Sequence, residues 1–597
     1  MNKWKHRISN SYFTIFLIGL VSVVFVTQFS WKGNDNKAYS RVISSDGVGY
    51  YYYLPNTFLS KKIDCQTPDK RFFNEVNGKG VNKYYVGTAV AMYPFFEIGF
   101  LLGHKGEKIT GFEPSYHKVI SLVGIFYLLG GLLFLRAFFR QYKFKEWIIS
   151  VSILLLFFGT NLMAYAILMP SMSHIYSFFF VSGFLYFAKS FSLQKKSKHL
   201  FIGTACLAMI ILIRPLNGII IFVLPFLAGS RLALKELITA IFKPKRVLVS
   251  FVILVLILFI QAYFWHLQCD EWIVWSYGNE GFYFLKPYLW EVLFSFRKGA
   301  FVYTPLLIVS VIGLVVLIKK NKFQGWSLFL FFASLIYLIS SWWNWYYGPS
   351  FGQRPFVEFY GLSALLIAFS LRFIQKKSFK ITLISFSLLC VFLNLIQTFQ
   401  YHSGIISSWD MNAKKYRYTF LKIGQQYQNC LGGNQDIFPY KADKNLVFDE
   451  TYDFESKDEN IEFGPIKQED SGGGNAIDYS NSEFNFSVSI PVNESFITKR
   501  GVYILASLKR KDLEVSRKNG ALFVVEIFDE FGDKYRYGTF PVSEIPPRNP
   551  HEWIQEEYSI EIQEVRKASD KIKIYVWNQE KQPFLIDDVE LKIFTIE

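Results

Sequence analysis

Cysteine is scarce in this chain of 597 residues: five are present, Cys65, Cys206, Cys269, Cys390 and Cys430. None sits in a CxxC or Cys/His spacing, so the sequence writes no structural metal site or redox pair. An odd count also argues against a disulfide framework. Nothing in the sequence reads as a P-loop, a HExxH helix or a GxSxG elbow; Gly348-Pro349-Ser350-Phe351-Gly352 has the letters of the last, but follows a long apolar run and no strand. That removes the usual signatures of cytoplasmic nucleotide-driven, zinc-peptidase and esterase chemistry. There is no internal repeat, and charges inside the apolar runs are few. Related halves and intramembrane charges would mark a transporter.

What is present is apolar and aromatic. Hydrophobic residues make up 51% and aromatics 19%, with 63 Phe and 36 Tyr. Long apolar runs recur at 12–29, 119–135, 148–168, 175–191, 247–264, 301–318, 326–342, 362–373 and 381–399. Most approach the roughly 17–25 residues that cross a bilayer as a helix. The fold class expected is a polytopic α-helical membrane protein. The net charge of +16 is uneven: residues from Tyr440 on carry 20 Lys and Arg against 31 Asp and Glu, net −11, which leaves +27 on the remainder. The positive residues cluster in short loops between apolar runs (Arg136–Lys145, Lys195–Lys198, Arg231–Arg246, Lys319-Lys320, Arg372–Lys377). Loop asymmetry of that kind sets membrane orientation, so no nucleic-acid partner is expected.

Taking Lys3, Lys5 and Arg7 as cytoplasmic, the loop charges predict about eleven spans, a cytoplasmic N-terminus retained as an anchor, and an exterior (periplasmic) C-terminal tail in a cytoplasmic, or inner, membrane. Leu200–Gly229 reads as two short spans broken at Arg214-Pro215. The apolar segment Val86–Gly103 contains Pro94 and Glu97 and is expected to be re-entrant or interfacial within the first exterior loop; the alternative is a twelfth span. The expected domains are 1–401 transmembrane, 402–457 linker, and 458–597 an exterior β-sandwich. The last rests on alternating runs at 484–490, 502–508, 521–527, 535–540, 572–577 and 584–594 separated by Gly, Pro and Asn.

The polar oddities fall in loops assigned to one face. Asp46-Gly47-Val48-Gly49 precedes Tyr50–Tyr53. Its acid is either a general base or a turn and cap residue, and the tyrosines, Tyr50 and Tyr51 foremost, either stack on sugar rings or form an interfacial belt. The same two readings apply to Trp342, Trp343 and Trp345. His174 either touches substrate or caps a packing contact. Arg214, at a Pro-broken turn, either snorkels or binds a lipid phosphate. Arg354, between Gly352 and Pro355, follows Gln353 and either contacts phosphate or pairs with Glu358.

Trp342–Arg354, of the form WWxWYxGxSFGxR, and Ser171-Met172-Ser173-His174-Ile175-Tyr176-Ser177-Phe178 resemble motifs of bacterial family-39-like transferases. With the topology, residues 1–401 resemble the GT-C fold glycosyltransferases, in the branch that holds the protein mannosyltransferases and aminoarabinose transferases. The resemblance implies a sugar moved from a polyprenyl-phosphate donor to a glycan, lipid or protein acceptor on the exterior face, with inversion and Asp46 as base. Many members carry a second acid near the first. Here Gly47 follows, and Asp64, Asp69, Glu75 and Glu97 remain as candidates, so a divalent metal is left open and no other cofactor is implied. The ending Phe584–Leu591 resembles galactose-binding-like jelly rolls, which implies carbohydrate contact or only a similar sandwich. The competing readings are a lipid-linked glycan polymerase or ligase, and a glycan flippase or transporter.

Overall fold

The structure is a computed structural model. It describes residues 10–32, 38–60, 72–103, 109–278, 280–433, 444–455, 461–468, 474–498, 501–515, 520–546, 549–562 and 565–596. Asp64, Cys65, Asp69 and the N-terminal basic residues lie outside them. The chain divides into two compact units, Met1–Thr398 and Phe399–Glu597.

The first unit is helical. Among the described residues six helices are long and apolar enough to cross a membrane: Ser11–Trp31, Pro114–Gln141, Pro244–Cys269, Lys322–Ser341, Arg354–Phe373 and Lys377–His402. Shorter apolar helices cover Gly87–Gly103, Glu146–Phe158, Ser197–Ile213 and Pro215–Ala228. The protein is a multi-pass membrane protein. Prolines start several of the long helices, at Pro114 and Pro244, where the absent N–H is not missed. Burial sorts the helices. Pro244–Cys269 is only 6% buried in its apolar window and exposes Leu248, Phe251, Leu256 and Phe259, the mark of a lipid-facing helix. Arg354–Phe373 is 89% buried and forms the centre of the unit.

Two expected spans are broken. The run 148–168 ends as a helix at Phe158, turns through Gly159, and resumes as Leu162–Ile167. The run 301–318 is interrupted before Pro305 and resumes at Leu307. Both breaks follow residues that cannot or do not continue the ladder. Gly87–Gly103 is a helix of 17 residues despite Pro94, and it packs Phe96 on Tyr116 and Tyr51. In the first loop a short hairpin joins β1 (Phe73–Val76) to β2 (Lys79–Asn82).

The second unit carries a two-sheet sandwich. Its strands are β3 (Lys444–Tyr452), β4 (Ile461–Phe463), β5 (Ile466–Lys467), β6 (Ala476–Asp478), β7 (Phe484–Pro491), β8 (Val502–Asp512), β9 (Ala521–Phe528), β10 (Lys534–Pro541), β11 (Trp553–Ile562), β12 (Lys571–Asn578) and β13 (Phe584–Ile596). One sheet runs β10-β9-β12-β7-β4; the other runs β11-β8-β13-β6-β5, with β3 also on β13. Strand β3 therefore places sandwich residues upstream of position 458, where the domain was expected to begin. The core between the sheets is aliphatic and aromatic, including Val488, Ile504, Phe523, Ile574, Phe584 and Ile593.

Glu556, on β11, is nearly buried, with the Glu544 N–H at 3.3 Å and Lys414 Nζ at 3.9 Å. Burial pushes its carboxyl up from 4.5 to about 7, and these partners only partly oppose that. The folded state therefore holds a proton that the unfolded chain releases. Its stabilisation is full below about pH 4.5 and is lost as pH rises through about 7. The predicted loss across that window is on the order of 3 kcal/mol, and Glu556→Gln should flatten it. Melting of the detergent-solubilised protein at pH 4.5 and pH 7.5 checks this; an unchanged pH slope in the variant would contradict it.

Candidate active site

A helix starting at Asp46 (Asp46–Tyr51) carries the carboxylate. Ser45 before it holds φ +53°, a left-handed value that costs a non-glycine residue on the order of 1–3 kcal/mol and clusters at functional positions. Neighbouring glycines permit the approach. A Cβ on Gly47 would lie 2.1 Å from Ser171 Oγ, and one on Gly49 would lie 2.3 Å from the Tyr84 ring.

Arg354 reaches this carboxylate from a segment 308 residues away: its Nη2 donates to Asp46 Oδ2 at 2.6 Å. The loop before it is pinned from several sides. Asn161 Nδ2 and the Tyr165 hydroxyl donate to the Phe351 carbonyl at 2.8 and 3.2 Å, and Lys298 Nζ donates to the Ser350 carbonyl. Gly352 takes φ +59°, the left-handed region that favours glycine, and a Cβ there would crowd Tyr303 at 3.0 Å and Asn161 at 3.1 Å. Arg354 is 8% exposed, and its Nε and Nη1 have no hydrogen-bond partner among the described residues. A buried guanidinium with unsatisfied donors is costly unless something else fills the site.

Burial raises the Asp46 carboxyl, but Arg354, the Lys83 ammonium and contacts from Tyr84 more than offset this, so the group lies below the ordinary aspartate range. The Tyr84 ring is tilted 53° against that of Tyr50, with centroids 4.6 Å apart. Lys83 is ion-paired to Glu280, which also accepts from Trp343 Nε1 at 3.1 Å.

Glu358 does not pair with Arg354. It is fully buried one helical turn further on, and its Oε1 receives His174 Nδ1 at 3.0 Å, Asn217 Nδ2 at 3.3 Å and Arg214 Nη1 at 3.4 Å. Arg214 is thus paired with a buried carboxylate, and His174 is held in place with its ring edge on Tyr165 at 4.9 Å. The second oxygen of Glu358 has no partner among the described residues. Gln353 Nε2 donates to the Trp345 carbonyl at 3.1 Å, while Gln353 Oε1 and Trp345 Nε1 are buried and meet no partner among those residues. Unmet polar atoms on Trp345, Gln353, Arg354 and Glu358 thus recur along one short stretch of chain.

Of the residues singled out in the sequence, Asp46, Tyr50, Arg354, His174, Arg214 and Glu358 form two linked ion clusters, with Gln353 and Trp345 on the adjoining loop. Tyr51 stands apart: it is fully buried, it packs on Phe96 and Phe112, and its hydroxyl donates to the Gly111 carbonyl at 2.7 Å. Trp342 packs on Phe282 and Tyr277. Glu75 is exposed and Glu97 lies on the Gly87–Gly103 helix beside Tyr116. Among the described residues no three His, Cys, Asp or Glu side chains gather as a metal site. Lys83, Tyr84, Asn217, Tyr277 and Glu280 were not anticipated. Glu280 had a signal: Gly278-Asn279-Glu280-Gly281 followed by Phe282-Tyr283-Phe284 repeats the pattern of an acid among glycines before aromatics seen at Asp46.

No protein-family model matches the chain, and no curated protein matches it. Among solved structures it is similar to the oligosaccharyltransferase of Archaeoglobus fulgidus in its apo form (14% identity, TM-score 0.42, 69% of this chain and 59% of that one). It is also similar to the arabinosyltransferase EmbB of Mycobacterium smegmatis (11% identity, TM-score 0.37, 96% of this chain and 64% of that one). A quarter of the chain is similar to the CBM22-1 xylan-binding domain of Paenibacillus barcinonensis Xyn10C (12% identity, TM-score 0.17, 94% of that domain). The chain spans about six tenths of the length of the archaeal enzyme it matches.

Gly47→Ala is predicted to push the Asp46 helix off Ser171, at a cost of about 1–3 kcal/mol. Thermal melting in detergent measures this; a melting temperature equal to that of the unaltered protein would contradict the packing described.

Proposed function

We propose that the protein is a membrane glycosyltransferase that takes its sugar from a polyprenyl-phosphate donor on the exterior face. The observation that carries this reading is the Asp46–Arg354 pair, a carboxylate and a buried guanidinium that keeps two donors unfilled. The sequence motifs that resemble family-39-like transferases lie on these same loops. The aromatic surroundings, Tyr50, Tyr84 and Trp345, suit pyranose faces.

In this reading a phosphodiester oxygen of the donor occupies the unfilled N–H groups of Arg354 and draws the guanidinium from Asp46. The Asp46 carboxyl then rises toward the ordinary range and becomes a competent base. The acceptor hydroxyl attacks the anomeric carbon, its proton passes to Asp46, and the carbon–oxygen bond to phosphate breaks with its electron pair. Polyprenyl phosphate leaves as a dianion stabilised by Arg354. One displacement inverts the anomeric centre. Arg214, His174 and Glu358 position the wall of the site through their own ion cluster. Tyr51 is assigned a packing role, holding the first loop. The donor sugar and the acceptor class (glycan, lipid or protein) are left to experiment.

General-base help is worth about 10²–10⁴ in rate, so Asp46→Asn should lower glycan transfer in membranes by that factor with the protein still folded. Transfer near the unaltered rate would overturn the mechanism.

A further inference from the structure

The solvent-facing side of a surface sheet is ordinarily polar. On the sheet β10-β9-β12-β7-β4 aromatic rings interrupt the polar face. Strand β12 buries Ile572, Ile574 and Val576 completely and turns Lys573, Tyr575 and Trp577 outward. Trp577 lies parallel to Phe484 of β7, with centroids 5.8 Å apart and planes 15° apart, and Phe484 is 57% exposed. Tyr575 flanks Phe484 at 5.9 Å. Trp577 Nε1 is buried, with no hydrogen-bond partner among the described residues. Beside this ledge lies a cleft of about 390 Å³ lined by Glu462, Phe484, Ser487, Glu526, Lys573 and Tyr575. The register places Tyr575 opposite Ser487 on β7 and Val524 on β9, and Ser487 opposite Glu462 on β4. The row thus crosses four strands, or roughly 14 Å at about 4.8 Å per strand. That is longer than one sugar ring.

We infer that this cleft binds a neutral oligosaccharide. Flat aromatic faces match the apolar faces of sugar rings. Carboxylates, a lysine and a serine beside them offer both acceptors and donors to hydroxyls, which need both. The charges are mixed: Glu526 is held by Lys534 at 2.8 Å and stands opposite Lys573 in the register, and Glu462 lines the same cleft. No excess of one sign favours an anionic or cationic polymer. A peptide added as a strand needs free backbone groups at an edge. This cleft lies over β12 and β7, and β12 is paired on both sides, to β7 and to β9. The inference concerns the second unit alone and stands whether or not the transfer reading holds.

The test uses the full-length protein in detergent and immobilised cellohexaose, xylohexaose and maltohexaose, read by biolayer interferometry. At least one probe is expected to bind, with affinity falling ten-fold or more in Tyr575→Ala and in Lys573→Ala, and unchanged in Asp46→Asn. Lys573 is half-buried, with its ammonium 5.9 Å from the Tyr575 ring and outside the core between the sheets, so it keeps the test decisive if Tyr575→Ala lowers the melting temperature. The inference is overturned if no probe is retained, if both variants bind as the unaltered protein does, or if Asp46→Asn abolishes binding, which would place the sugar in the membrane unit.

Discussion

A charge removed from water inside a membrane protein has to be paired, and pairing two clusters of charge organises this molecule's first unit. Asp46 and Arg354 are 308 residues apart in sequence. Glu358 gathers His174, Arg214 and Asn217 from two further helix junctions. Breaking either cluster would strand a buried charge, so the first loop, the Ser171–His174 turn, the Arg214-Pro215 break and the 342–358 loop are held to one another by electrostatics as much as by packing. The glycines at 47, 49 and 352 serve this arrangement: at the first two a neighbour leaves no room for a Cβ, and the third takes a left-handed φ of +59°.

The pairing is also incomplete. Arg354 uses one nitrogen on Asp46, and its other two N–H-bearing nitrogens meet no acceptor among the described residues. An anion with strong acceptor oxygens would relieve that deficit and at the same moment release the carboxylate. Ligand recognition and base activation then become one event, which gives the low proton affinity of Asp46 in the unliganded protein a physical sense.

Much of this was legible in the sequence. Apolar length announced the membrane helices, and alternation announced six of the sandwich strands, because periodicity is a local signal. Asp46, Arg354, His174, Arg214 and Glu358 stood out as charges beside glycine, proline or apolar spans. Their partners did not. Arg354 had Glu358 four positions away as an obvious mate, yet the 3-10 turn over Arg354–Phe359 and the burial of Glu358 against Arg214 send the two side chains to different carboxylates and cations. Tyr51 read like its neighbour Tyr50, but successive residues on a helix point about 100° apart, and Tyr51 falls on the packed side. The short strands β4, β5 and β6 are too brief for alternation to show.

The most direct measurement is the affinity of undecaprenyl phosphate for the detergent-solubilised protein and its Arg354→Gln and Asp46→Asn forms. If the phosphate replaces Asp46 on the guanidinium, Arg354→Gln binds at least ten-fold more weakly, and Asp46→Asn, freed of the competing carboxylate, binds as tightly as the unaltered protein or more so. Equal affinity in the Arg354→Gln form would show that this arginine does not receive the phosphate, and the account of the site would fail.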